Sequence, residues 1–102
     1  MNWFRKLFVT RADRVAKYLD NNAQLVDVRT HREHAKRNLP TAIHIPIDEL
    51  HVKGKQLDPK RPVIVFCASG TRSSMAAVVL RGMGYVTVNA GSISQMNQYL
   101  LK

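Results

Sequence analysis

One stretch near the middle of the chain constrains the fold more than any other. Residues 63–66 are all β-branched or aromatic, and the run is short enough to be a buried strand. Residues 75–80 are too alanine-rich for a strand, and Gly82 and Gly84 follow them, so this segment is predicted to be a helix. The loop 67–74 therefore joins the carboxyl end of a strand to the amino end of a helix.

The rest of the chain alternates strand and helix patterns. Three pairs of residues have the spacing of a capping box, which predicts helices that begin near residues 10, 30 and 92. Strands are predicted at 25–28, 42–45, 63–66 and 85–88, with a helical turn at 47–50, a polar loop at 51–62 and a turn at 89–91. This alternation indicates an α/β fold, with a mainly parallel sheet and helices on both faces. Ligands of such sheets bind beyond the carboxyl ends of the strands.

The size and the cysteine content indicate one cytoplasmic domain. With 102 residues the chain has room for a single core, so we expect one domain over 1–102. A single cysteine excludes an intramolecular disulfide, and neither a signal sequence nor a membrane span is recognisable. The apolar residues of segment 1–9 recur at helical spacing, and two alternatives are open for them. Packing on the domain is favoured over contact with a membrane.

The chain is strongly basic, with a formal net charge of +9 at pH 7. Such a charge is compatible with nucleic acid or an acidic membrane as a partner. The lysines and arginines form no block and do not alternate with aromatic residues, which favours a solvated basic surface over a nucleic-acid site. Residues 63–102 contain no Asp or Glu. We therefore expect a positive field at the loop and an anionic substrate.

Cys67, the only cysteine, opens the loop and is the candidate nucleophile. The backbone N–H groups of residues 68–73 and the positive end of the helix dipole favour an anion there, and they lower the pKa of a thiol. Gly70 lets the amides curl toward one centre, and Arg72 adds a cation suited to an oxyanion. The alternative is a buried structural cysteine. We expect an exposed thiol whose removal costs little stability.

Three stretches resemble the rhodanese family of sulfurtransferases and occur in the family's order. They are the loop Cys67-x-x-Gly70-x-Arg72-Ser73, the segment Leu25-Val26-Asp27-Val28-Arg29 with Glu33 after it, and the segment Leu39-Pro40-Thr41-Ala42-Ile43-His44-Ile45-Pro46. The resemblance runs from about Thr10 to the C-terminus, and it implies a rhodanese-like domain. The chain departs from the family at Ala90-Gly91, where relatives commonly carry a Gly-Gly pair with a tryptophan nearby.

The resemblance implies two-step covalent catalysis that needs no metal or organic cofactor. The Cys67 thiolate takes the outer sulfur of thiosulfate or a similar anionic donor. A thiophile (cyanide in assays, a thiol in cells) then removes that sulfur. Arg72 is expected to orient the donor, and other loop residues are expected to surround the sulfur: Ala68, Ser69, Gly70, Thr71 and Ser73. The alternative is a persulfide carrier or binding module that serves a protein partner and turns over small donors poorly.

Two other groups of residues are candidates for the site. Asp27 and Arg29 follow a predicted strand; the resemblance implies a supporting role near the loop, and the spacing favours a salt bridge over direct chemistry. His31 and His34 share a helical face, but nothing in the sequence completes a zinc site, so we expect no metal.

Cysteine phosphatases and arsenate reductases also place a cysteine and an arginine around a ring of amides. Spacing separates the classes, because four residues lie between Cys67 and Arg72 here and phosphatase loops carry five. Sulfur transfer is therefore favoured over phosphoester hydrolysis. Nucleic-acid binding is a further alternative, and an affinity that barely changes with salt would argue against it.

Overall fold

Four parallel strands in the order β2-β1-β3-β4 form the sheet of this protein. The computed structural model describes residues 9–102, so the alternatives for the amino-terminal segment lie outside the described residues, except at Val9. The strands are β1 (Gln24–Asp27), β2 (Ile43–His44), β3 (Val63–Cys67) and β4 (Thr87–Ser92). The helices are α1 (Arg11–Asp20), α2 (His31–Lys36), α3 (Leu50–Lys53), α4 (Thr71–Gly82) and α5 (Ile93–Leu100). The predicted α/β fold with a parallel sheet is confirmed.

Strand β3 lies between β1 and β4, and its side chains alternate between two apolar cores. Val65 and Cys67 belong to a core that packs against α3 and α4, whereas Ile64 and Phe66 belong to a core that packs against α1 and α5. All side chains of β3 are fully buried. Because burial of one such apolar side chain contributes about 1.5–3 kcal/mol, β3 is firmly held on both faces. Cys67 is the last residue of this strand and lies at its carboxyl end.

Three helices begin with the capping boxes that the sequence predicts. The side-chain oxygens of Thr10, Thr30 and Ser92 each accept a hydrogen bond from the backbone N–H three residues later, at the starts of α1, α2 and α5. Helix α4 is different, because its N-cap is Gly70 and no side chain caps its first turn. The first N–H groups of α4 are therefore left for another acceptor.

The prediction of a polar loop over 51–62 is wrong in its first half. Two 3-10 helices flank α3, at Ile47–Glu49 and Gly54–Gln56. Leu50 and Leu57 are buried, and the Tyr85 hydroxyl donates to the backbone oxygen of Leu57 at 3.2 Å. This packing depends on residues distant in sequence, so the few apolar residues of the segment gave no periodic signal.

Residues 89–91, predicted to be a turn, instead lie inside β4. The register between β3 and β4 shifts at Val65 and Phe66, and Gly91 has a φ of 93°. A left-handed glycine and a bulge let the strand continue where the sequence pattern indicates a reversal. The strand predicted at 85–88 also starts later, since the Tyr85 N–H donates to the backbone oxygen of Leu80 at the end of α4.

None of the helices within residues 9–102 has the length and the apolar content to cross a membrane.

Candidate active site

Cys67 is the last residue of β3 and is fully buried. The prediction of an exposed loop thiol is therefore wrong. The strand extends one residue further than the apolar run suggests, so the Cys67 side chain turns into the same core as Val65. Helix α4 also begins earlier than predicted, at Thr71, so Arg72 and Ser73 occupy its first turn. Only residues 68–70 separate the strand from the helix.

The Cys67 sulfur accepts hydrogen bonds from the Gly70 backbone and the Ser73 side chain. The Gly70 N–H reaches Sγ at 2.9 Å, and the Ser73 hydroxyl lies 3.3 Å from it. Gly70 makes this possible with a φ of 99°, a conformation that other residues rarely adopt. A Cβ at this position would also lie 3.3 Å from the Cα of Gly91. Glycine is thus required here both for the backbone conformation and for the close approach of β4.

The surroundings of Cys67 favour its thiolate form. Burial raises the pKa of the thiol, but hydrogen bonds from the Ser73 side chain and from the backbone N–H groups of Ser73, Gly70 and Ser69 outweigh it. The net effect holds the pKa of Cys67 below its usual range. The sequence predicted this direction from the start of a helix, and the uncapped first turn of α4 supplies the donors.

Arg72 forms a bidentate ion pair with Glu33 of α2. Its Nη1 and Nη2 lie 2.6 Å and 2.9 Å from the two carboxylate oxygens. The bond with Arg72, followed by that with the Thr30 N–H, lowers the pKa of Glu33 to about 2. The same ion pair raises the pKa of Arg72. The expectation of a positive field at the loop took account of residues 63–102 alone, whereas the fold brings a carboxylate from the first half of the chain to Arg72.

Asn89 of β4 is a site residue that the sequence reasoning missed. Its Oδ1 accepts from the Ser73 hydroxyl at 2.7 Å and from the Gly91 N–H at 2.8 Å, and its Nδ2 donates to the backbone oxygen of Gly70 at 3.2 Å. Asn89 thus connects β4 to the loop and to the first turn of α4. The signal was its position at the carboxyl end of the last predicted strand.

The other predicted loop residues differ in what they offer the sulfur. The Ser69 hydroxyl donates to Oγ1 of Thr71 at 3.4 Å, so these two side chains face one another on the surface. Ser69 acts on Cys67 through its backbone N–H instead. Ala68 is exposed at the turn after the strand. Ser69, Gly70 and Ser73 therefore lie around the sulfur. The other three predicted side chains do not: Ala68 is exposed, Thr71 faces Ser69, and Arg72 pairs with Glu33.

Asp27 and Arg29 form the expected salt bridge, and it is buried. Asp27 Oδ2 lies 2.7 Å from Arg29 Nη2, and Asp27 Oδ1 accepts the Arg29 N–H at 2.9 Å. Arg29 also donates to the backbone oxygens of Arg37 at 2.6 Å and Glu33 at 3.4 Å. The pair therefore holds α2 against the end of β1, and it supports Glu33 without contacting Cys67.

Three histidines gather beside β2. The rings of His34 and His44 stack with centroids 4.1 Å apart, and His31 meets His44 edge-on at 5.0 Å. The His44 Nε2 donates to the backbone oxygen of Arg29 at 2.7 Å. Across residues 9–102, no group of three or more His, Cys, Asp or Glu side chains is arranged to hold a metal ion.

The fold and the loop match a known family. The family model described as the Rhodanese-like domain matches residues 11–98. The chain belongs to the rhodanese-like domain family. A solved rhodanese-related protein from Thermoplasma volcanium is similar with a TM-score of 0.71 and 30% identity, covering 85% of this chain and 88% of that one.

Two curated relatives carry names that describe sulfur chemistry. One is YrkF of Bacillus subtilis (strain 168), which is named as a candidate sulfur carrier protein. It is 32% identical over 69 residues, which are 68% of this chain and 37% of YrkF. A protein of Allochromatium vinosum named sulfurtransferase is 34% identical over 61 residues, 60% of this chain and 57% of that protein. This rhodanese-like domain thus matches 37% and 57% of the lengths of these two relatives.

Proposed function

We propose that this rhodanese-like domain is a sulfurtransferase that carries sulfane sulfur as a persulfide on Cys67. The observation that carries the proposal is the Cys67 sulfur itself, which accepts hydrogen bonds from Gly70 and Ser73 at the uncapped start of α4. A lowered pKa favours the thiolate, which is the nucleophilic form of cysteine. The name of the Allochromatium vinosum relative supports the same chemistry.

The reaction has two steps that balance without an external oxidant or reductant. The thiol loses its proton to solvent, and the thiolate attacks the outer sulfur of thiosulfate or a similar donor. A bond forms between Cys67 Sγ and that sulfur, the sulfur–sulfur bond of thiosulfate breaks, and sulfite leaves with the electron pair. A thiophile then takes the outer sulfur: cyanide becomes thiocyanate in assays, and a thiolate becomes a persulfide in cells. Cys67 returns as a thiolate.

The residues around Cys67 stabilise the persulfide. Its outer sulfur carries the negative charge, and we expect the N–H groups of Ser69 and Gly70, which act on Sγ in the unloaded protein, to stabilise that charge. The Ser73 hydroxyl adds a third donor. We assign Asp27 and Arg29 a supporting role, because they hold the helix that carries Glu33. Neither step needs a metal ion or an organic cofactor.

A specific observation favours a persulfide carrier as the second candidate. The Arg72 guanidinium, expected to orient an anionic donor, is engaged by both oxygens of Glu33. Such a pair leaves less positive charge for thiosulfate, so a protein would supply the sulfur instead. The name of YrkF describes this kind of role.

The proposal includes partners and a compartment. The partners are a small anionic sulfur donor and a thiol or protein sulfur acceptor, and nucleic acid is not among them. We place the reaction in the cytoplasm, because a catalytic thiol has to stay reduced.

The experiment that tests both candidates is the intact mass of the protein with two sulfur sources. Thiosulfate is expected to add one sulfur atom, which cyanide then removes, and Cys67→Ala is expected to abolish the gain. Ser74→Ala is the matched control, since Ser74 is an exposed residue in the first turn of α4. Circular dichroism checks the fold of Cys67→Ala, because the residue is buried.

The second sulfur source is a protein that carries a persulfide. Loading from that protein, with no gain from thiosulfate, selects the carrier. A gain from neither source, or a gain that survives Cys67→Ala, overturns both candidates.

A further inference from the structure

Three arginines surround a cavity beside β4. Arg11 and Arg14 belong to α1, and Arg81 belongs to α4. They line a cavity of about 240 Å³ together with Val9 and two residues of β4, Val88 and Asn89. None of these residues donates a hydrogen bond to the Cys67 sulfur. Asn89 is the one lining residue that also contacts the candidate active site, through Ser73 and Gly70.

The arginines reach the cavity from both faces of the sheet. Helix α1 packs on one core and α4 packs on the other, and the edge formed by β4 lies between them. Arg81 is anchored, because its Nε and Nη2 donate to the backbone oxygen of Thr87 at 3.2 Å and 3.0 Å. Arg11 lies against β4, since its Nη1 would be 2.9 Å from a Cβ built on Gly91. The fold therefore holds the Arg81 guanidinium in place and brings that of Arg11 close to β4.

The charge of this cluster is not neutralised within the described part of the chain. Among residues 9–102, Arg11, Arg14 and Arg81 form no ion pair with a carboxylate. The sequence also contains no Asp or Glu in residues 1–12 or 63–102. Asp13, the acidic residue nearest in sequence to Arg14, accepts the Thr10 N–H at the cap of α1. Three like charges at one cavity repel each other unless an anion binds between them.

We propose that this cavity binds a small oxyanion with two negative charges, of the class of sulfate, phosphate or thiosulfate. A guanidinium presents a planar fork of N–H donors that matches two oxygens of a tetrahedral oxyanion. The amide of Asn89 adds a neutral polar group to the wall. The proposal does not rest on sulfur transfer by Cys67, because the three arginines that carry it do not contact the Cys67 sulfur. Only Asn89 is shared with the candidate active site.

Sulfate binding, measured by titration calorimetry at constant ionic strength in chloride, tests the proposal. Wild-type protein is expected to bind sulfate, and Arg14→Gln is expected to raise the dissociation constant by about tenfold or more. Arg32→Gln is the matched control, since it removes the same charge from an exposed residue of α2. The control is expected to change the constant by less than about twofold.

Three outcomes overturn the proposal. They are no sulfate binding to the wild type, equal binding to Arg14→Gln, and equal weakening in Arg14→Gln and Arg32→Gln. The last would show that net charge alone attracts the anion. If Arg14→Gln fails to fold, as judged by thermal unfolding, Arg11→Gln takes its place. Titration with methyl phosphate in place of sulfate then distinguishes a free inorganic oxyanion from a phosphate group on a larger molecule. Binding of methyl phosphate indicates a phosphate group on a larger molecule, and failure to bind indicates a free inorganic ion.

Discussion

The hydroxyl proton of Ser73 can be donated either to Asn89 or to the Cys67 thiol. The Ser73 hydroxyl has one proton and three acceptors in reach: Asn89 Oδ1 at 2.7 Å, Cys67 Sγ at 3.3 Å and the Gly91 oxygen at 3.4 Å. The nearest acceptor is the amide oxygen, so the neutral thiol competes poorly. A thiolate is a stronger acceptor and draws the proton toward sulfur. Asn89 therefore influences the titration of a group that it does not contact.

We predict that Asn89→Asp raises the pKa of Cys67. A carboxylate holds the Ser73 proton more strongly than an amide oxygen does, and its negative charge disfavours a nearby thiolate. The ultraviolet absorbance of the thiolate as a function of pH measures the change, and Cys67 is the only thiol in the chain. Asn97→Asp adds the same charge on α5 and serves as the control. An unchanged or lower titration midpoint in Asn89→Asp would contradict the prediction.

Among the helices and strands, the sequence correctly predicted those features that depend on residues close together in the chain. The capping boxes at Thr10, Thr30 and Ser92 are complete within four positions, and all three were confirmed. The helical turn at 47–50 was predicted, but its continuation through residues 51–56 was missed because distant contacts stabilise it. The Tyr85 hydroxyl, for example, donates to the backbone oxygen of Gly54 at 2.8 Å. A hydrogen bond between residues 31 positions apart leaves no pattern in the local sequence.

We predict that Tyr85→Phe lowers the free energy of unfolding by about 1–2 kcal/mol. The substitution leaves the buried backbone oxygens of Gly54 and Leu57 without their shared donor. Urea unfolding followed by circular dichroism measures the change. Tyr18→Phe is the control, since the Tyr18 hydroxyl has no hydrogen-bond partner within residues 9–102, and its effect is expected to stay within about 0.5 kcal/mol. Equal effects of the two substitutions would mean that the Tyr85 hydroxyl does not stabilise this segment.

Over the whole molecule, the two halves of the chain differ in charge and meet at the site. All seven acidic residues lie before residue 63. The sequence therefore predicted the Cys67 loop, whose parts are contiguous, but not the pairing of Arg72 with Glu33. These residues are 39 positions apart. They meet because β1 and β3 are neighbours in the sheet, and this places the starts of α2 and α4 at the same edge.

We predict that Glu33→Gln lowers the free energy of unfolding by about 1 kcal/mol at pH 7, a modest value because the pair is partly exposed. The folded protein lowers the pKa of Glu33 from 4.5 to about 2, so the stabilisation is complete above pH 4.5 and is lost as the pH falls toward 2. The difference between the variant and the wild type should therefore vanish near pH 2.

Urea unfolding over this pH range measures the effect of Glu33→Gln. Asp48→Asn removes the same charge from an exposed residue that forms no salt bridge in the described part of the chain, and it is the control. A difference between Glu33→Gln and the wild type that is as large at pH 2 as at pH 7 would assign the loss to packing rather than to the ion pair.

The complete burial of Cys67 has a consequence for the proposed persulfide, because a buried thiol and a sulfur attached to it differ in how far they extend toward a partner. The bare thiol lies beneath its own loop, out of contact with bulky disulfides and with the thiols of other copies. In the proposed persulfide, the outer sulfur would add a bond of about 2 Å to Sγ. The transferable atom would then lie beyond the buried atom that anchors it. Under the proposed function, a partner that collects sulfur would reach an atom that the unloaded, buried thiol does not offer.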